Sequence, residues 1–93
     1  MPTYKVAHIN QQGQSLIIFP LDPAFGQLTA SEQQSDLAML GLRATAAGLR
    51  GLPVAVWDAE GQTKFRGPER WHPFLESINL EFVWANVNKE ISW

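Results

Sequence analysis

Val54-Ala55-Val56-Trp57-Asp58-Ala59-Glu60-Gly61-Gln62-Thr63-Lys64-Phe65-Arg66-Gly67-Pro68 is the stretch that decides the fold. It reads as strand, turn, strand. Asp58-Ala59-Glu60-Gly61 has an acidic residue first and glycine last, the chemistry of a type I turn closed by a glycine bulge. In that geometry Asp58 faces Gln62.

An earlier hairpin has the same layout. Tyr4 to Ile9 is a strand, Asn10-Gln11-Gln12-Gly13 the turn, and Gln14 to Phe19 the return strand, ended by Pro20. Shifting the chain by 48 positions lays Val6-Ala7 on Val54-Ala55, Asn10 on Asp58, Gly13-Gln14 on Gly61-Gln62 and Pro20 on Pro68. Spacing of this kind points to a repeated ββα unit, residues 4–50 and 52–93, within one domain over 1–93. Two ordinary hairpins with ordinary turns read the same way.

Helices follow both hairpins. Thr29 with Glu32, or Ser31 with Gln34, makes a capping box. Gly51 after Arg50, with Pro53 beyond, marks the far end. Turning by about 100° per residue, Glu32, Asp36, Arg43 and Arg50 share a wet stripe, and Leu37, Gly41, Ala44, Thr45 and Gly48 face inward. A final helix is expected from about Leu80 to Ile91 with Asn79 as its N-cap. Its core stripe would be Leu80, Val83, Trp84, Val87 and Ile91, with Phe82 and Trp93 on the other side. The fold class expected is therefore α+β, in ββα-ββα order, a four-stranded antiparallel sheet with two main helices packed on one face.

That architecture has a shortage of cover. The turn geometry and the period-2 alternation send Ala7, Ile9, Ile17, Phe19, Ala55, Trp57 and Phe65 to one face. Tyr4, Val6, His8, Leu16, Ile18, Val54 and Val56 go to the other, with Lys64 and Arg66. A wet antiparallel face should alternate apolar and polar residues, yet Leu16-Ile17-Ile18-Phe19 is apolar throughout. The expectation is a non-enzymatic protein-interaction module, pairing with itself or another protein. The interface candidates are Tyr4, Val6, His8, Leu16, Ile18, Val56, Phe82 and Trp93, with Trp71 a further aromatic anchor.

Composition agrees with a partner more than with chemistry. Of 93 residues, 45% are apolar and 17% charged, with a net charge of −2. No block of like charge attracts nucleic acid or an anionic membrane to the chain as a whole. There is no cysteine, which excludes disulfides, thiolate metal sites and Cys nucleophiles. Met1-Pro2-Thr3-Tyr4-Lys5 begins a strand pattern, not a leader, so a cytoplasmic location is expected. His8 and His72 have no metal-ligand spacing, and no nucleophile or phosphate-loop motif is present. No catalytic residue, metal or cofactor is assigned. The second reading is a small single-stranded nucleic-acid-binding protein using Lys64, Arg66, Arg70, Trp71 and His72, cations beside rings on which bases stack. A third is a small-ligand binder or enzyme with a pocket framed by loops 20–30 and 68–76.

Ile18-Phe19-Pro20-Leu21-Asp22, Val56-Trp57-Asp58, Trp71-His72-Pro73-Phe74 and Ala85-Asn86-Val87-Asn88-Lys89-Glu90-Ile91-Ser92-Trp93 resemble small uncharacterised bacterial proteins carried by mobile elements, integron-cassette products among them. The resemblance implies a bacterial origin and an accessory role, with no activity to transfer.

Overall fold

The computed structural model describes residues 3–92. Both hairpins form: β1 (Thr3–Gln11) with β2 (Gln14–Leu21), and β3 (Leu52–Ala59) with β4 (Gln62–Arg66). Each is closed by a two-residue loop, not a four-residue one. Gln12 and Gly13 have φ of 52° and 81°, and Glu60 and Gly61 of 52° and 85°. Positive φ at both central residues makes these type I′ turns, whose twist matches that of the strands they join. Gln11 therefore faces Gln14, and Ala59 faces Gln62. The expected partners, Asn10 and Asp58, sit one residue further out, opposite Ser15 and Thr63.

That slip has large consequences, because one residue of register exchanges the two faces of a strand. Val6 joins Ile17, Phe19, Ala55 and Trp57 on one side of the sheet. Ala7 joins Leu16, Ile18, Val54 and Val56 on the other, where Ile9 and Phe65 also pack. β1 and β4 thus present faces opposite to those the four-residue turn implies.

The sheet has five strands, not four, in the order β4-β3-β2-β1-β5. β2 and β3 run parallel, and every other neighbouring pair is antiparallel. The crossover between the parallel strands carries a 3₁₀ helix, Pro23–Gln27, and α1, Ala30–Ala46. α1 opens with the Thr29–Glu32 capping box and closes on Gly48, three residues before the expected stop. There the Leu49 amide donates to the Ala44 carbonyl at 3.0 Å and the Gly48 amide to that of Thr45 at 3.0 Å, a Schellman closure. The Glu32 carboxyl is held below the usual carboxylate range, chiefly because it accepts the Thr29 backbone amide.

After β4 come a 3₁₀ turn (Glu69–Trp71), α2 (His72–Glu76) and α3 (Leu80–Ala85). α3 has Asn79 as N-cap but ends at Ala85. The expected continuation is β5, Lys89–Ser92, lying antiparallel beside β1. Asn88 makes that switch. Its side-chain Oδ1 accepts the His8 amide and its Nδ2 donates to the His8 carbonyl, both at 2.9 Å, so a side chain plays the part of a strand residue.

Both faces of the sheet are roofed by the same chain. On one side Phe25 and α1, through Leu37, Leu40 and Ala44, cover Val6, Ile17, Phe19, Ala55 and Trp57. On the other, Trp71, Leu75 and Val83 cover Ala7, Leu16, Ile18, Val54 and Val56. Helices on one face only, as expected from the sequence, are therefore corrected to helices on two. The run Leu16–Phe19 is apolar throughout because β2 is a central strand with a parallel neighbour, buried on both sides. The described residues form a mixed α+β structure with a single sheet of five strands and three α-helices.

Candidate functional site

The register and the second roof decide the fate of most predicted interface residues. Val6, Leu16, Ile18 and Val56 are fully buried within the chain and offer nothing to a partner. Their candidacy rested on an uncovered sheet face that does not exist. Tyr4 is half-buried at the edge of the α1-side core. His8 is half-buried too, and its Nε2 donates to the Arg50 carbonyl at 2.7 Å, tying β1 to the loop after α1. Trp93 lies outside the described residues. Phe82 lies at the surface on α3.

Phe82 has a companion that helical periodicity assigned to the core. Trp84 is 51% exposed. Val83 points into the sheet-side cluster, so its two neighbours, each about 100° away around the helix, flank α3 on either side. Phe82 makes an edge contact with Phe74 of α2 (centroids 6.5 Å, 82°), and Phe74 makes another with buried Trp71 (6.4 Å, 84°). A ladder of rings thus climbs from the core to the surface. The helical spacing of Leu80, Val83, Trp84, Val87 and Ile91 is satisfied in the sequence but not in space, since the helix has ended before the last two. Trp71 also buries an indole Nε1 with no hydrogen-bond partner among the described residues.

The cations do not converge. Lys64 lies on the α1 side in a cleft of about 700 Å³ with Trp57, Asp58 and Glu60. Arg66 is on the same side, its Nε donating to Gln33 Oε1 at 3.0 Å. Arg70 is on the far side, its guanidinium 5.9 Å from the centroid of the Trp71 ring. His72 stands edge-on to Phe65 at 5.1 Å, its Nε2 donating to the Gly67 carbonyl at 3.2 Å. Trp71 is buried against Leu75 and the sheet. A strand of nucleic acid meets no continuous row of cations and open rings here, so the geometry disfavours that reading.

Loops 20–30 and 68–76 do not frame one pocket either. The first packs with Phe25 on the α1 side, the second with Trp71 and Leu75 on the other. Phe25 meets Trp57 at 4.9 Å and 57°. Gly26 lies so close to the indole that a Cβ there would come within 2.7 Å of Trp57 Nε1. The 3₁₀ helix separates the 700 Å³ cleft from a smaller one of about 260 Å³, lined by Tyr4, Asp22, Phe25, Asp36, Met39 and Leu40. Among the described residues no three of His, Asp and Glu cluster as metal ligands, and no helix is long and apolar enough to cross a membrane.

One residue that carries much of the polar structure went unnoticed in the sequence. Gln33 is only 7% exposed and bridges the Phe25 carbonyl to Arg66. A signal for it existed: Gln33, Leu37, Leu40 and Ala44 fall on one helical stripe, and a polar residue in a buried stripe must have partners. No protein family model, curated protein or solved structure matches the chain.

Proposed function

We propose that the protein is a non-enzymatic interaction module that pairs with a second copy of itself through the α2–α3 layer, with Phe82 and Trp84 as anchors. The observation that supports this reading is the half-exposed indole of Trp84 on a helix whose other flank already presents an exposed ring. Tryptophan and other aromatics dominate interface hot spots. A stable interface takes about 800 Å² from each partner, so the contact extends over α2 and Phe74 as well as α3.

The alternative route, edge-to-edge sheet pairing, is discouraged by the edges themselves. β4 and β5 are five and four residues long and carry Lys64, Arg66, Lys89 and Glu90. Short, charged edge strands resist pairing with another chain. A layer of rings with a single charge on α3, at Glu81, suits a two-fold contact with its own copy.

Sedimentation at micromolar and nanomolar concentration tests the reading. A concentration-dependent dimer that Trp84→Ser abolishes supports it. A monomer at every concentration, or a dimer that Trp84→Ser leaves intact, overturns it.

A further inference from the structure

Arg66 is held in an unusual way for a half-buried cation. Its Nε donates to Gln33 Oε1 at 3.0 Å, and Gln33 Nε2 donates to the Phe25 carbonyl at 3.0 Å. A carbonyl can only accept, so the Gln33 amide has one orientation, with its oxygen toward the guanidinium. Gln33 is itself nine-tenths buried, so giving up either contact would leave a buried polar atom unpaired. The plane of the guanidinium is thereby fixed from behind.

Its two outer nitrogens meet no carboxylate among the described residues. The ion pair of Lys5 with Glu90 lies on the far edge of the sheet. Arg66 instead borders a cleft of about 400 Å³ whose other walls are Leu37, Ala38, Pro53 and Pro68, with Gln34 at the rim. No Asp or Glu lines it. Its Pro53 wall packs tightly against α1, since a Cβ at Gly41 would come within 3.0 Å of the proline ring. Arg66 is thus the one charged residue among the described walls of an otherwise largely apolar cleft.

From this geometry we infer that the cleft between α1 and the end of β4 binds a small apolar monocarboxylate, its carboxylate taken by the outer nitrogens of Arg66 and its body seated between Ala38, Pro53 and Pro68. A guanidinium presents parallel N–H groups that match a planar carboxylate two-to-two. A phosphate dianion needs a second cation, and the cleft has none. The volume suits a body of one ring or a branched aliphatic chain.

Benzoate, with benzamide as its uncharged isostere, is the probe, and amide chemical shifts are the readout. Benzoate should move the resonances of residues 34–38, 53 and 66–68 and saturate with a dissociation constant of about 1 mM or tighter, with benzamide leaving them in place. Arg66→Gln should weaken benzoate about tenfold or more, the worth of one charge-assisted hydrogen bond. Arg66→Lys, which keeps the charge and loses the fork, should weaken it as well. Ala38→Leu fills the cleft without touching the Arg66–Gln33 pair, so it should abolish binding in a chain whose spectrum stays dispersed. Equal binding of benzamide, undiminished binding by Arg66→Gln or Ala38→Leu, or no saturable shift with benzoate each overturns the inference.

Discussion

The two roofs of the sheet are built on different principles. α1 is 17 residues long, with a reciprocal capping box at one end and a Schellman closure at the other. Most of what shapes it lies within its own stretch of sequence. α2 and α3 have five and six residues, far below the roughly 12–15 at which a helix begins to hold by itself. α2 has no side-chain cap. α3 has Asn79, and its first amide donates to Thr63 Oγ1 on β4 at 3.1 Å. Their order comes from tertiary packing, the ring ladder and the contacts of Leu75 and Val83 with the sheet. That layer also carries the Trp71 indole N–H, without a partner among the described residues, a cost of about 1–3 kcal/mol. One roof is self-supporting, and the other is assembled from pieces that leave aromatic surface outside.

The comparison can be broken by removing equal bulk from each side. Leu40→Ala and Leu75→Ala each delete a buried leucine and should cost about 2–5 kcal/mol. Native-state hydrogen exchange should separate them. Leu75→Ala is expected to release the amides of residues 72–85 well before those of β2 and β3, whereas Leu40→Ala lowers protection across the sheet. If both variants release the same amides together, the two layers are one cooperative unit. Next in size is Asn88→Ala, which strips two hydrogen bonds from His8 and should cost about 1–2 kcal/mol, with β5 fraying first in the exchange profile.

The self-supporting roof has its own test. Thr29→Ala should cost about 1 kcal/mol and loosen the first turn of α1 while leaving α2–α3 exchange unchanged. Acid acts on the same box. The folded state holds the Glu32 carboxyl below its ordinary value, so its contribution is fully present above the unfolded value, about pH 4.3. It is lost as pH falls through the lower folded value. That acid-dependent component should vanish in Glu32→Gln and persist in large part in Thr29→Ala, which keeps the backbone amide that is its main cause; acid titrations followed by circular dichroism would reveal the difference. The smallest expected effect is Trp84→Ser, within about 0.5 kcal/mol on the stability of the single chain, with the loss falling on association instead.

The same division explains what could be read from the chain beforehand. α1 was legible because the Thr29–Glu32 box is a local signal and Leu37 and Ala44 turn inward as expected. Its buried stripe runs through Leu40, however, while Thr45 and Gly48, expected inward, lie exposed. Its stop was misplaced because Gly48 and Gly51 both qualify and only the backbone chooses between them. The hairpins were legible, but not their register: Gln12 and Glu60 adopt positive φ without the Asn or Asp that normally announces it. β5 was hidden because Leu80 to Ile91 keeps helical spacing, and the strand exists only through pairing with β1, over eighty residues away. Trp84 was assigned to the core by the same helical spacing, yet it stands exposed, as Phe82 does. Arg66 was singled out as a cation, while the Gln33 contact that orients it is set by packing that no local pattern encodes.

The place of β1 in the sheet also has a consequence in time. It lies between β2 and β5, with Thr3 opposite Ser92. During synthesis, then, the outer rim of the first hairpin stays unpaired until β5 has left the ribosome. An exposed rim of that kind is where nascent chains stick to one another. β5 thus does duty as a seal, and deleting Lys89–Ser92 should show first as poor yield and clumping of newly made protein.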